Sequence, residues 1–295
     1  MVTNEKRIPV VFGEVLFDCF PGGENVLGGA PFNVAWHLAA FGDSPCFISR
    51  VGQDGLGSQI KEAMKLWGMS LDGLQESEQY PTGQVKVSIV DHEPQYQITP
   101  DCAYDFIESD EMTSLPTEGL IYHGSLALRN KVSRQSFVDL SQHAKLPCFM
   151  DVNLRSPWWE KHEVLAWLGR ATWAKLNEDE LYLLYGQGEL FEKMNACMDS
   201  AHLEWLIVTR GADGAVALTK DAQVLTVEPE EVDNFVDTVG AGDAFTAVLL
   251  HGILNDWPLQ ESLNQAQQFA SAIVGQRGAT PMNRSFYYPF PMKRG

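Results

Sequence analysis

Positive charge is scarce in this chain. Lysine and arginine number 21 against 39 aspartates and glutamates, a formal net charge of −18. No basic cluster runs longer than a pair, so the positive footprint of a nucleic-acid binder is missing. No stretch approaches the about 18 unbroken apolar residues that read as a membrane span. The five cysteines (Cys19, Cys46, Cys102, Cys148 and Cys197) are odd in number and widely spaced, and no C-x-x-C occurs. That argues against a disulfide framework and against a zinc site. The phosphate-binding pattern G-x-x-x-x-G-K-[ST] is absent, as are the H-R-D and D-F-G signatures of protein kinases. The polar start, Met1 to Arg7, leads straight into a strand-like run, so no signal peptide is expected and a cytoplasmic location follows.

What is present reads as globular. Hydrophobic residues make up 45% and aromatic residues 11% of 295 positions, enough to bury a large core. Short apolar runs at Ile8–Leu16, Cys46–Val51, Leu120–Leu126, Pro147–Val152, Thr172–Leu176 and Trp205–Thr209 predict strands. Their near-continuous apolarity suits strands covered on both faces. Between them, helical spacing predicts Pro31–Phe41, Leu56–Trp67, Arg134–Lys145, Trp159–Arg170 and Glu178–Tyr185. The first two stop at Gly42 and Gly68, as helices commonly do. Strand–helix alternation implies an α/β fold with a mostly parallel sheet flanked by helices. Two regions break the rhythm: Leu16–Val26 and Gln84–Ile98 read as strands with no helix between them and the next strand. They predict a small β-sheet lid.

The segment Asp237–Leu254 (DTVGAGDAFTAVLLHGIL) carries the most chemistry. Gly240 and Gly242 permit close backbone approach, and a helix begins at about Gly242 or Asp243. The first N–H groups of that helix lack internal partners and sit at the positive end of its dipole, which makes an anion cradle. A carboxylate there is placed to act as a base on a hydroxyl. A capping aspartate behind a tight turn is the bland rival. A second glycine motif, Gly28-Gly29-Ala30-Pro31-Phe32-Asn33, precedes an alanine-rich helix. Its glycines would let a ligand lie on the backbone, and Asn33 offers a donor and an acceptor. A plain helix start is again the rival.

Together these segments resemble the PfkB/ribokinase family of carbohydrate kinases. Gly28–Gly42 and Asp237–Phe245 look like its two signature regions, in the right order and at the right separation. Gly13–Asp18 (GEVLFD), Asp151–Arg155 (DVNLR), Lys175–Glu180 (KLNEDE) and Val208–Gly214 (VTRGADG) look like its other landmarks. The resemblance implies a ribokinase-like fold over residues 1–295 as a single domain, with a lid formed by about 15–27 and 83–99. It also implies ATP as phosphoryl donor and a sugar as acceptor. Asp243 would be the base, and Gly240, Ala241 and Gly242 the anion hole. Asp18, Gly28, Gly29 and Asn33 would bind the sugar, with Arg155 a further candidate contact to substrate or phosphate. Asn177, Thr209, Gly211 and Gly214 would lie by the nucleotide, and Glu180 would reach Mg2+ through water. Asp237 and the Val239 carbonyl match a K+ site of many relatives, although a hydroxyl that some members supply further on falls at Met282.

The segments Tyr122–Leu128 and Ala103–Ile107 look like fructokinase-type members, so fructose is the favoured acceptor. Ribose, 2-keto-3-deoxygluconate and nucleosides are the alternatives within the family. A non-catalytic sugar or nucleotide sensor would not need Asp243. An enzyme acting on a phosphosugar would need cations over the phosphate, and the lid offers only Lys86. The partners implied are thus small molecules, with no nucleic acid and no membrane, and exposed lid strands offer an edge for a homodimer.

Overall fold

The structure is a computed structural model that describes residues 7–90, 93–111, 115–229 and 238–290. In chain order, β1 (Ile8–Phe12), β2 (Leu16–Cys19) and β3 (Asn25–Gly28) lead into α1 (Ala30–Phe41). Next come β4 (Cys46–Gly52), α2 (Gly55–Trp67), β5 (Leu74–Ser77), β6 (Gly83–Val90) and β7 (Glu93–Ile98). The alternating part runs β8 (Gly119–His123), α3 (Lys131–Ala144), β9 (Cys148–Asp151), α4 (Lys161–Leu168), β10 (Trp173–Asn177), α5 (Glu178–Tyr185) and α6 (Leu190–Ala201). It closes with β11 (Trp205–Thr209), β12 (Ala215–Thr219), β13 (Val224–Val227), α7 (Ala241–Leu254) and α8 (Leu259–Val274).

Among the described residues nine strands form the main sheet, in the order β13-β12-β11-β10-β9-β8-β1-β4-β5. All pairings from β11 to β5 are parallel; β12 and β13 are antiparallel. Successive side chains of a strand point to opposite faces, and the core divides accordingly. Val11 packs on the side of α1, α2, α7 and α8; Val10 and Phe12 pack on the side of α3 to α6. This explains why both kinds of position in β1 are apolar. The four-stranded small sheet runs β3-β2-β6-β7, as the two rhythm-breaking regions predict. It is mixed rather than antiparallel throughout: β2 pairs parallel with β6, while β3 and β7 flank them antiparallel.

One predicted strand divides. Ile8–Leu16 reads as a single apolar run, yet β1 ends at Phe12 and Leu16 opens β2 in the other sheet. The intervening Gly13–Val15 are buried as well. Burial continues across the crossing, so periodicity does not register the change of sheet. The similar run Leu120–Leu126 stops as a strand at His123 and becomes a short 3-10 helix at Leu126–Arg129.

Helix α1 is buried almost all round. Trp36 is fully buried and stacks on Trp67 of α2 with ring centres 4.4 Å apart, and the Trp67 indole N–H donates to the Trp36 carbonyl at 3.0 Å. Trp36→Ala is expected to cost about 3–5 kcal/mol of unfolding free energy through the cavity it leaves. Leu66→Ala, at a site 71% exposed, should stay within about 0.5 kcal/mol of the parent. Denaturant titration of the two variants checks the pair; equal losses would mean that the stack holds nothing together.

Candidate active site

The carboxyl ends of β1, β8, β9, β10 and β11 open on one side of the main sheet, the crevice where open α/β sheets gather ligands. Chain leaving these ends supplies Glu14, Ser125, Arg155, Asn177 and Thr209. The mouth of α7 comes to the same place. Gly240 holds a left-handed φ of 83°, and a Cβ there would stand 2.7 Å from Ala279 Cα, so no other residue fits. The turn delivers Gly242 and Asp243 at the first turn of α7, where N–H groups have no intrahelical acceptor.

Asp243 meets the second glycine motif directly. The Asn33 side-chain amide donates to Asp243 Oδ2 at 2.7 Å. A Cβ on Gly28 would lie 3.9 Å from Asp18 Oδ2 and 4.0 Å from Asn33 Oδ1. The bare backbone of Gly28 therefore lies close to both Asp18 and Asn33. Gly29 has a φ of 108°, and a Cβ there would meet the Glu14 carbonyl oxygen at 2.7 Å. Burial pushes the Asp243 carboxyl up to about 6. The Asn33 donor opposes that rise, Asp151 adds to it, and Lys175 and Arg155 oppose it.

Beneath the loop lies a buried ion pair. Lys175 Nζ is 2.7 Å from Asp151 Oδ2, with side chains 6% and 3% exposed. Thr246 Oγ1 lies 2.8 Å from the same carboxylate oxygen and 3.0 Å from the Gly242 carbonyl, which ties α7 to β9. Lys175 Nζ also stands 3.8 Å from where a Gly242 Cβ would be. A fixed positive charge thus backs the glycine turn.

On the far side of that turn is a cavity of about 580 Å³, within the range of small-molecule sites. Thr209, Gly211 and Gly214 form one wall, Ala241 and Gly242 a second, and α8 a third through residues such as Gln267 and Ser271. The same two glycine-turn residues line this cavity and lead into Asp243.

The family follows from comparison with known proteins. The pattern of the family described as pfkB family carbohydrate kinase matches residues 19–285. The chain belongs to the pfkB family of carbohydrate kinases. The kinase is 30% identical over 310 residues to probable fructokinase-6, chloroplastic, of Arabidopsis thaliana, covering 95% of this chain and 80% of that one. To the Escherichia coli fructokinase it is 28% identical, covering 91% and 94%. Fructokinase from Vibrio cholerae O395, solved with fructose, ADP and calcium ion bound, superimposes with a TM-score of 0.82 at 25% identity, covering 97% and 99%. A Xylella fastidiosa fructokinase structure with bound ATP shares the fold, with a TM-score of 0.85 at 20% identity over 93% and 94% of the chains.

Not every residue singled out in the sequence joins the cluster. Asn177 and Glu180 form a capping box at the start of α5: Asn177 Oδ1 accepts from the Glu180 N–H at 2.8 Å, and Glu180 Oε2 accepts from the Asn177 N–H at 2.9 Å. Glu180 Oε1 accepts from the Leu154 N–H at 2.7 Å. Neither residue lines the cavity. Arg155 is exposed, yet its charge reaches Asp243. Val239 is 43% exposed, and Asp237 lies outside the described residues. Conversely, Glu14 and the Lys175–Asp151 pair give little sign of themselves in the pattern. Their one signal is a charge inside an otherwise apolar strand run, which a buried strand tolerates only when paired.

Removing one partner of that pair leaves the other charge buried and uncompensated. Lys175→Met should therefore cost this kinase about 3–5 kcal/mol, while Lys175→Met with Asp151→Leu should regain most of it. Unfolding titrations of both variants decide the matter. A single variant as stable as the parent would show that the pair does not hold β9 to β10.

Proposed function

We propose that this kinase transfers the γ-phosphoryl group of ATP to a primary hydroxyl of a neutral sugar, with fructose as the acceptor. The observation that carries the reading is the Asn33–Asp243 hydrogen bond at 2.7 Å. It joins a glycine-floored, hydroxyl-binding surface to a carboxylate at the mouth of a helix whose opposite side opens on the 580 Å³ cavity.

Placement supports the following roles. Asp18, Gly28, Gly29 and Asn33 hold the sugar, and Arg155 covers it from the open side. Asp243 accepts the proton of the attacking hydroxyl as its oxygen bonds to phosphorus and the bond to the leaving ADP breaks. The N–H groups of Gly240, Ala241 and Gly242, backed by the Lys175 charge, stabilise the negative charge on the transferring group. Thr209, Gly211 and Gly214 lie along the nucleotide, with Asn177 at its edge.

Among the described residues no three His, Cys, Asp or Glu side chains gather to hold a metal ion. Magnesium fits here only as an ion carried on the ATP phosphates, whose charge it neutralises, with Glu180 reaching it through water. Each Glu180 oxygen accepts one backbone N–H and keeps a further acceptor site for that purpose. For K+, the Val239 carbonyl is the described candidate, and Asp237 would complete the pair.

The small sheet serves as the lid of the single domain. Its β2–β3 turn carries Glu24, which meets Arg277 just beyond α8 at 2.6 Å, so it touches the segment next to the cavity. The outer strands β3 and β7 are the edges that a homodimer would use. No helix among the described residues is long and apolar enough to cross a membrane.

Support for fructose comes from the curated relatives, which are fructokinases. A screen of ATP consumption over fructose, ribose, 2-keto-3-deoxygluconate, adenosine and fructose 6-phosphate should give fructose the highest kcat/KM. A clear preference for another acceptor removes the fructose assignment, and consumption with none removes the kinase mechanism.

Asp243→Asn should lower kcat by at least about 100-fold while both ligands still bind. With the carboxyl at about 6, kcat/KM of the parent should fall as pH drops through that value, because the base is lost on protonation. The stability effect has the opposite sense. A carboxyl raised from 3.8 to about 6 favours the folded state below its unfolded value and loses that contribution as pH rises through about 6. At pH 8 the asparagine variant should therefore melt no lower than the parent. Near-normal turnover in this variant would refute the assigned base.

A further inference from the structure

Five buried side-chain polar atoms without a hydrogen-bond partner among the described residues share one neighbourhood: Glu14 Oε2, Asn33 Oδ1, Tyr104 OH, Tyr122 OH and Arg129 Nη1. Folded proteins leave few such atoms, so a cluster of them asks for a ligand. The link between them is electrostatic and geometric. Glu14 interacts with Arg155, Asp243 and Arg129; Tyr122 interacts with Asp243, Glu14 and Arg155; Tyr104 interacts with Arg129 and Glu14. Glu14 leaves the end of β1, and Arg129 ends the short helix that follows β8, the neighbouring strand.

Two of the five are held in place. Glu14 is 3% exposed, and its backbone carbonyl oxygen lies 2.7 Å from where a Gly29 Cβ would be, which sets the residue beside the glycine motif. Burial pushes its carboxyl up to about 7, against the pull of its own backbone N–H and of the Arg155 charge. Arg129 is clamped by Asp105 through Nε and Nη2, each at 2.7 Å, and Nη2 also donates to the Thr99 carbonyl at 2.8 Å. Its guanidinium lies over the Trp158 ring at 4.3 Å and the Tyr104 ring at 5.2 Å. The free Nη1 therefore cannot swing away to find another acceptor.

We infer that Glu14 and Arg129 form a fixed acceptor–donor wall that recognises the hydroxyls of a neutral sugar away from the one that is phosphorylated. This rests on the sugar-kinase reading above and narrows its substrate class. A sugar hydroxyl both donates and accepts, which suits a wall of carboxyl, guanidinium and phenol groups. An acceptor carrying a carboxylate or phosphate would bring its negative charge towards Glu14 and Asp243 together. Glu14 thus selects for a neutral polyol and against sugar acids and phosphosugars.

The test uses the full chain with Glu14→Gln and Glu14→Ala, reading sugar KM, ATP KM, kcat and the sugar-induced rise in Tm. Losing a charge-assisted hydrogen bond should raise the KM for fructose about 10- to 100-fold in Glu14→Ala, with ATP KM nearly unchanged. Glu14→Gln should lie between, and it should narrow the gap between fructose and 2-keto-3-deoxygluconate, a shift that a purely structural role would not produce. An unchanged fructose KM in folded Glu14→Gln, or equal rises in both KM values, overturns the inference. If Glu14→Ala does not fold, Glu14→Gln carries the test alone. If the parent phosphorylates no sugar in the panel, the proposed function fails separately, and the melting shifts then decide Glu14. A neutral sugar that stabilises the parent but not the Glu14 variants supports it; no stabilisation of the parent by any sugar overturns it.

Discussion

Two helices have to begin at one point, and the site depends on that coincidence. Asn33 in the first turn of α1 and Asp243 in the first turn of α7 are 210 positions apart in sequence and 2.7 Å apart in space. Each helix is preceded by glycines in conformations that side chains resist, so each presents backbone rather than bulk to the crevice. Both helices are buried almost completely, which leaves their starts little freedom to drift. The hydrogen bond between them fixes the Asp243 carboxyl beside that bare backbone. The same turn presents Ala241 and Gly242 to the neighbouring cavity.

That arrangement gathers charge where water is largely excluded. Asp151, Lys175 and Glu14 are buried, and Asp243 is partly so. Buried charges are tolerated when they are paired, and the Lys175–Asp151 bridge with Thr246 is such a pair. Its position under Gly242 gives the loop a fixed cation. Fixed dipoles and charges act strongly in such surroundings because little reorganisation is needed when charge develops. The raised carboxyls of Asp243 and Glu14 share one leading cause, burial; Asp243 further raises Glu14, and Asp151 further raises Asp243.

The sheet order explains why these groups meet. Neighbouring parallel strands β1, β8, β9, β10 and β11 end on one edge, so residues from five separate stretches of sequence open on a single crevice. The small sheet stands beside it because Gly13–Val15 carry the chain out of β1 and into β2. Asp18 on β2 and Gly28 at the end of β3 come together through the antiparallel register that sets Leu16 opposite Gly28.

Much of this was legible from residue order. Glycine stops at Gly42 and Gly68 match the ends of α1 and α2, α5 spans Glu178–Tyr185 as its spacing predicts, and β11 spans Trp205–Thr209. The two glycine motifs are local signals, since a tight turn before a buried helix is encoded by neighbouring residues. The crossing at Gly13 was not legible, because both sheets demand the same apolar residues. Nor were the partners of Glu14, Lys175 and Arg129, which come from distant strands and loops. Periodicity and turn chemistry are short-range and travel with the sequence, so they determined the elements and the two glycine-led helix starts. Pairing of buried charges and the set of unpartnered polar atoms depend on which strand ends become neighbours, and only the tertiary structure decided that.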